Sequence, residues 1–168
     1  FGSLSLTSSG LYDCFIAKLN SNGVFQWAQA LRGAADVQTG ATTSWDVVWG
    51  TSVTVVPGGV VIGGFYLGNT DVGSNVGASA SDADIFVAEY TDSGQFQWSA
   101  EAKGNEMNEA HSMASNSAGD VWLATSFQDS MTFGSHTVSA AGSGHPVIAK
   151  ISGSGNLLDA QSGTTTSG

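Results

Sequence analysis

The chain has 168 residues, 23 of them Gly and only 2 Pro, a length that buries a core without a metal or disulfide staple. Four Lys/Arg against fourteen Asp/Glu give a net charge of −10 with no basic cluster, and this excludes a nucleic-acid backbone or an anionic membrane surface as partner. Only 11 % of residues are charged, yet five Trp and eight Phe argue against disorder, and the acidic, Ser/Thr/Gly-rich composition suits a hydrated surface outside the cell.

The chain opens Phe1-Gly2-Ser3 without Met, so a processed chain or a fragment is expected. No apolar run approaches the roughly 20 residues that span a bilayer, so membrane insertion is not expected. The first strong element is Phe15-Ile16-Ala17-Lys18-Leu19, apolar on both alternating faces, as in a strand covered on both sides. Cys14 precedes it. As the single cysteine it forms no internal disulfide and reads as a small core residue. Asn22-Gly23 follows, then Val24-Phe25-Gln26-Trp27, an arrangement that predicts a hairpin because Gly accepts the positive φ of a tight turn. Downstream, Val53 to Val56 and Val60 to Ile62 flank Pro57-Gly58-Gly59, a second hairpin. No helical periodicity persists for ten residues.

These elements recur. FGSLSLTSSGLYDCFIAKLNSNGVFQWAQALRG from Phe1 aligns with VGSNVGASASDADIFVAEYTDSGQFQWSAEAKG from Val72 and with FGSHTVSAAGSGHPVIAKISGSGNLLDAQSG from Phe133. Ala17, Ala88 and Ala149 correspond, as do Gly23, Gly94 and Gly155, at successive spacings of 71 and 61 residues. The hairpin around Gly59 repeats at Gly119, which places an insertion at 34–44. The units run 1–71, 72–132 and, in part, 133–168.

About four short antiparallel strands per unit of roughly 60 residues, in tandem, is the pattern of a β-propeller blade. The predicted fold is therefore all-β and propeller-like, with four-stranded blades in an incomplete ring. A two-sheet sandwich is the rival, but sandwiches do not require one hairpin motif to recur at near-constant spacing. A closed propeller needs at least four blades. Two and a half units leave end faces and strand edges that further blades of the same polypeptide, or neighbouring subunits, are expected to cover.

The unit resembles the bacterial SBBP-type repeat of seven-bladed β-propellers. The resemblance rests on Asp13, Phe15, Ile16, Ala17, Lys18, Leu19, Gly23 and Trp27, and on Asp84, Phe86, Val87, Ala88, Glu89, Tyr90, Gly94 and Trp98. The third copy departs, with His145-Pro146 at the Asp position and Asp159 in place of Trp. The resemblance implies an extracellular or cell-surface setting and brings no shared catalytic residues.

Trp27 and Trp98 share one phase, which points to packing between blades. Lys18, Glu89 and Lys150 share another, where opposite signs on neighbouring blades would allow an ion pair. Trp45 and Trp49 do not recur. Four residues apart on an extended strand they face one side, and with Asp36 and Asp46 nearby they form the candidate ligand platform, suited to carbohydrate or peptide.

Metal binding finds little support. Asp82, Asp84 and Asp92 lack an EF-hand run, His111, His136 and His145 lack paired spacing, and Glu106, Glu109 and His111 read as a solvated loop. No nucleophile elbow, phosphate-binding loop or zincin motif occurs, and no cofactor is expected. The expected function is a structural, adhesive or protein-interaction module. The alternatives are a polysaccharide-acting hydrolase or lyase, whose carboxylate pair would meet only in three dimensions, and a carbohydrate-binding propeller.

Overall fold

A computed structural model describes residues 2–8, 12–33, 46–73, 75–78, 82–105, 108–142 and 144–163. The chain is all-β, with fourteen strands and no helix among the described residues. In chain order they are β1 (Cys14–Leu19), β2 (Phe25–Gly33), β3 (Val47–Val56), β4 (Gly59–Leu67), β5 (Asn69–Val72), β6 (Asn75–Ala78) and β7 (Asp84–Thr91). Then follow β8 (Phe96–Gly104), β9 (Ala110–Ser115), β10 (Val121–Phe127), β11 (Ser130–Phe133), β12 (His136–Ser139), β13 (His145–Ile151) and β14 (Leu157–Ser162). They form three antiparallel sheets, ordered β1-β2-β5-β6, β12-β11-β8-β7-β4-β3 and β14-β13-β10-β9.

The repeat is visible in the register. β1 pairs with β2, β7 with β8 and β13 with β14, placing Lys18 opposite Trp27, Glu89 opposite Trp98 and Lys150 opposite Asp159. Each pair carries an irregularity directly after that Lys or Glu. The three turns adopt one geometry, with Gly23, Gly94 and Gly155 at φ of 75°, 81° and 81°, a conformation open to Gly and costly for a side chain bearing Cβ.

Two strands per unit exceed the four expected from the sequence. β3, β4, β7 and β8 form a four-stranded meander, as do β9, β10, β13 and β14. Between the second and third strand of each lies a short hairpin, β5–β6 or β11–β12, that joins the previous sheet. β5 pairs with β2, Arg32 opposite Asp71, and β11 pairs with β8, Lys103 opposite Thr132. Each meander thus extends a hairpin onto the sheet before it. The recurring Val72-Gly73 and Phe133-Gly134 are the turns of these hairpins, with both glycines at positive φ, so the unit boundaries at 72 and 133 fall within them.

Stacked sheets bury both faces of the central strands. From β7, Phe86, Ala88 and Tyr90 pack with Ile16, Trp27, Leu31 and Ile62 against the first sheet. Ile85 and Val87, of opposite parity, join Leu123, Val147 and Ile151 against the third. This double burial accounts for the continuous apolar run of β7. β1 and β13, expected from sequence to be covered on both sides, instead leave one face in solvent, with Phe15 and Leu19 on β1 and Ile148 on β13 exposed. Only the middle sheet has a neighbour on each side.

Candidate functional site

Trp49 lies on β3 opposite Phe65 of β4, and the two rings stack with centroids 6.2 Å apart and planes 5° apart. Tyr12 closes the group from the chain just before β1. Its carbonyl accepts the Val48 N–H at 2.9 Å, and its ring sits 5.6 Å from the indole at a tilt of 49°. Tyr12 is 53 % exposed and Trp49 49 % exposed, so two broad rings face solvent while Phe65 backs them.

The surroundings of this cluster are set by carboxylates that hold the backbone. Asp46 is buried, and its Oδ1 accepts the Asn69 N–H at 2.9 Å, tying the entry of β3 to the start of β5. Gly33 is packed directly on it: a Cβ there would lie 2.8 Å from the Asp46 Cβ. Asp13 Oδ1 accepts the Gly33 N–H at 3.0 Å, and its counterpart Asp84 accepts the Gly104 N–H at 3.2 Å. The recurring Asp, at the start of one strand, therefore fastens the far end of the next strand of its hairpin. Burial pushes the Asp84 carboxyl upward in pKa, partly opposed by the Gly104 hydrogen bond. Burial, with the nearby Glu101 and Asp84 charges, likewise pushes the Tyr66 hydroxyl well above the ordinary tyrosine range.

Of the four residues expected to form the platform, Trp49 is exposed and Asp46 is occupied by a backbone amide. Trp45 and Asp36 lie outside the described residues, as do Glu106 and the insertion at 34–44. Tyr12 and Phe65, which the sequence did not single out, are the rings that accompany Trp49. Only the pairing of β3 with β4 brings Phe65 beside it. A period-2 reading of one strand carries no such cross-strand information.

The other candidates resolve locally. Cys14 is half-buried with its Sγ against Gly50, and burial pushes its thiol pKa up, the opposite of an activated nucleophile. His111 pairs with Ser126 at 3.1 Å, His145 is buried with Nε2 2.9 Å from the Ala141 carbonyl, and His136 lies near Ser135. Among the described residues no group of three or more His, Cys, Asp or Glu is placed to hold a metal ion. An open groove of 660 Å3 separates β8, β11 and β12 from β13 and β14, with the Glu101–Lys103 ion pair (3.1 Å) and His136 on its wall.

The shared Lys/Glu phase does not form an ion pair between units among its own members. Lys18 pairs with Asp92 of the following sheet, and Lys150 pairs with Asp120 of its own sheet at 2.8 Å, over the Trp122 ring. Glu89 is raised in pKa by burial, while a hydrogen bond from Trp98 acts in the opposite sense. Each of the three lies opposite a residue of its hairpin partner, and the carboxylates that reach the two lysines are Asp92 in the turn of the next unit for Lys18 and Asp120 beside β10 for Lys150.

Trp27 donates its indole N–H to the Asp92 carbonyl at 2.9 Å and lies over Gly94. Trp98 does the same one unit later, to the Gly153 carbonyl at 3.1 Å and over Gly155. The recurring Trp is thus a joint between consecutive units, as its phase predicted. Compared with family models and with curated proteins, the chain matches none.

Proposed function

We propose that this chain is a run of β-propeller-type repeats, similar to the SBBP type, that serves as a structural or protein-interaction module at the cell surface or outside the cell. The observation that carries the reading is the repeated junction. At both interfaces between consecutive units a Trp of one unit seats on the Gly turn of the next. At both, the later unit also returns a hairpin to the earlier sheet. Units joined this way stack in series and leave their loops for contacts, which is how repeat architectures build binding surfaces. The acidic, weakly charged surface supports a setting in bulk solvent rather than on nucleic acid or lipid.

Labelling intact cells with a membrane-impermeant biotin reagent tests this reading. Labelling before lysis is the expected result; labelling only after lysis overturns it.

The Tyr12–Trp49–Phe65 cluster favours carbohydrate contact as a second reading, because flat exposed rings match the apolar faces of sugar rings. Titrating oligosaccharides while following Trp fluorescence tests it, with Trp49→Ala as control. A signal that survives in Trp49→Ala places the binding elsewhere.

A further inference from the structure

The two junctions between consecutive units are built alike but filled differently. At the first, the Phe96 ring lies over Gly73 so closely that a Cβ there would collide with it. Tyr90 meets Phe96 edge to face, with ring centroids 5.9 Å apart. Gln29 donates a side-chain N–H to the Gly94 carbonyl at 2.8 Å. Register gives the equivalents at the second junction. Tyr90 lies opposite Phe96 as Ile151 lies opposite Leu157, and Gln29 lies opposite Ile16 as Ala100 lies opposite Val87. Gly73 and Gly134 turn the two short hairpins.

Each replacement at the second junction is smaller. Two aromatic rings give way to Ile151 and Leu157, and Gln29 gives way to Ala100. Gly134 has nothing within 4 Å of its Cβ position among the described residues, so no side chain there takes the place of the Phe96 ring. The turn glycine beside it opens too: Gly94 is buried, whereas Gly155 is half-buried. The groove of about 660 Å3 described above lies at this point. Ala100, Gly134, Ile151, Gly155 and Leu157 all line it, together with Phe133 and the exposed His136 and Asn156. It is the space that the first junction fills with its own rings.

We infer that this groove binds a small phenol. Its flat ring takes the place that Phe96 holds at the first junction, against Gly134, where the missing Cβ lets a ring approach the backbone. Apolar walls of Ile, Leu and Phe accept an apolar guest of matching shape. Its hydroxyl supplies the donor that Gln29 supplies at the first junction, and the Gly155 carbonyl, equivalent to that of Gly94, is the acceptor. The volume lies in the range of small-molecule sites and exceeds what one side chain of a partner protein would fill. The inference goes beyond the structural role proposed above and rests only on the equivalence of the two junctions.

Titrating p-cresol into the nitrogen-15-labelled full chain, with amide shifts as the readout, tests it. Saturable shifts at Gly134, Ile151 and Gly155 are expected. Leu157→Phe, which installs the first junction's ring, should weaken binding by about tenfold or more, and Ala100→Gln should weaken it as well. Methylcyclohexanol, similar in size but puckered, should also bind about tenfold more weakly. Native amide dispersion shows that each variant has kept its fold, and if Leu157→Phe loses it, Ala100→Gln decides alone. Absence of saturable shifts in the native chain overturns the proposal, as does unchanged affinity in a folded variant. Equal affinity for methylcyclohexanol overturns the aromatic class. Tighter binding of a short tyrosine peptide, acetyl-Gly-Tyr-Gly-amide, overturns the small-molecule assignment, because a partner chain would then be the occupant. Surface labelling of cells and the Trp49→Ala titration are independent of all these outcomes, so each reading fails on its own terms.

Discussion

The indole of Trp27 covers Gly94, a residue 67 positions later in the chain, and a Cβ at Gly94 would lie 2.7 Å from the ring carbon Cδ2. Gly23, at the same phase one unit earlier and at nearly the same φ, has nothing within 4 Å of its Cβ position among the described residues. The two glycines share backbone geometry and differ only in what lies above them.

That difference separates two contributions. Gly23→Ala should cost about 1–2 kcal/mol from the left-handed backbone alone. Gly94→Ala should cost a further 1–3 kcal/mol, roughly, because the Trp27 ring must move. Urea denaturation of both variants measures this, and equal losses would show that the contact is not tight. Trp27→Ala should lose about 3–5 kcal/mol. Trp98→Ala should lose less, because Trp98 is half-buried where Trp27 is buried.

Asp84 gives a pH dependence with a definite sign. Its carboxyl pKa is raised by burial, so the folded state holds the proton more tightly than the unfolded chain. Its titration favours the fold below the unfolded pKa, and that contribution is lost as pH rises through the folded value. Asp84→Asn keeps an oxygen acceptor for Gly104 and removes the charge. Stability at neutral pH is expected to stay level or rise, with a flatter profile just above the ordinary carboxylate range. Asp84→Ala leaves the Gly104 N–H without that acceptor and should cost about 1–3 kcal/mol. A large loss in Asp84→Asn at neutral pH would mean that the charge itself is needed.

The Lys18–Asp92 ion pair spans two sheets but stands in solvent, with side chains 41 % and 70 % exposed. Lys18→Met should therefore change stability by about 0–1 kcal/mol, less still in high salt. Lys150 also lies 5.0 Å from the Trp122 ring centroid, so Lys150→Met should cost about 0.5–1 kcal/mol more than Lys18→Met. Thermal melts at low and high ionic strength compare the two.

Cys14 should resist alkylation. Burial raises its pKa and Gly50 abuts its sulfur, so iodoacetamide at mildly alkaline pH should react much more slowly with the native chain than with the urea-unfolded one. Native reactivity equal to that of a free thiol would show that β1 opens readily.

The repeat, the strand–Gly–strand hairpins and the packing role of Trp27 were legible because each is local: an apolar run, a turn residue and a fixed spacing. The β5–β6 and β11–β12 hairpins were not recognised, although their turns open the aligned segments as Val72-Gly73 and Phe133-Gly134. Four-residue strands carry too few positions to show a period, and their partners β2 and β8 belong to the preceding sheet. Trp49 stood out in the sequence as a Trp that does not recur. Its ring partners Tyr12 and Phe65 come from the segment two residues before β1 and from β4.

The sequence by itself determined an all-β chain and the phase of the repeat, since composition, turn chemistry and periodicity act over a few neighbouring residues. Which of the equivalent apolar strands is buried on both faces, β7 and not β1 or β13, was decided by the stacking of the sheets. Tertiary structure decided which sheet each hairpin joins, that Asp46 holds the Asn69 backbone amide, that Lys18 meets Asp92, and that Val53 and Val55 face solvent. All four depend on register between strands that are distant in the chain. A shift of one residue in that register reverses which side chains face the core, and only the summed packing of three sheets selects the register.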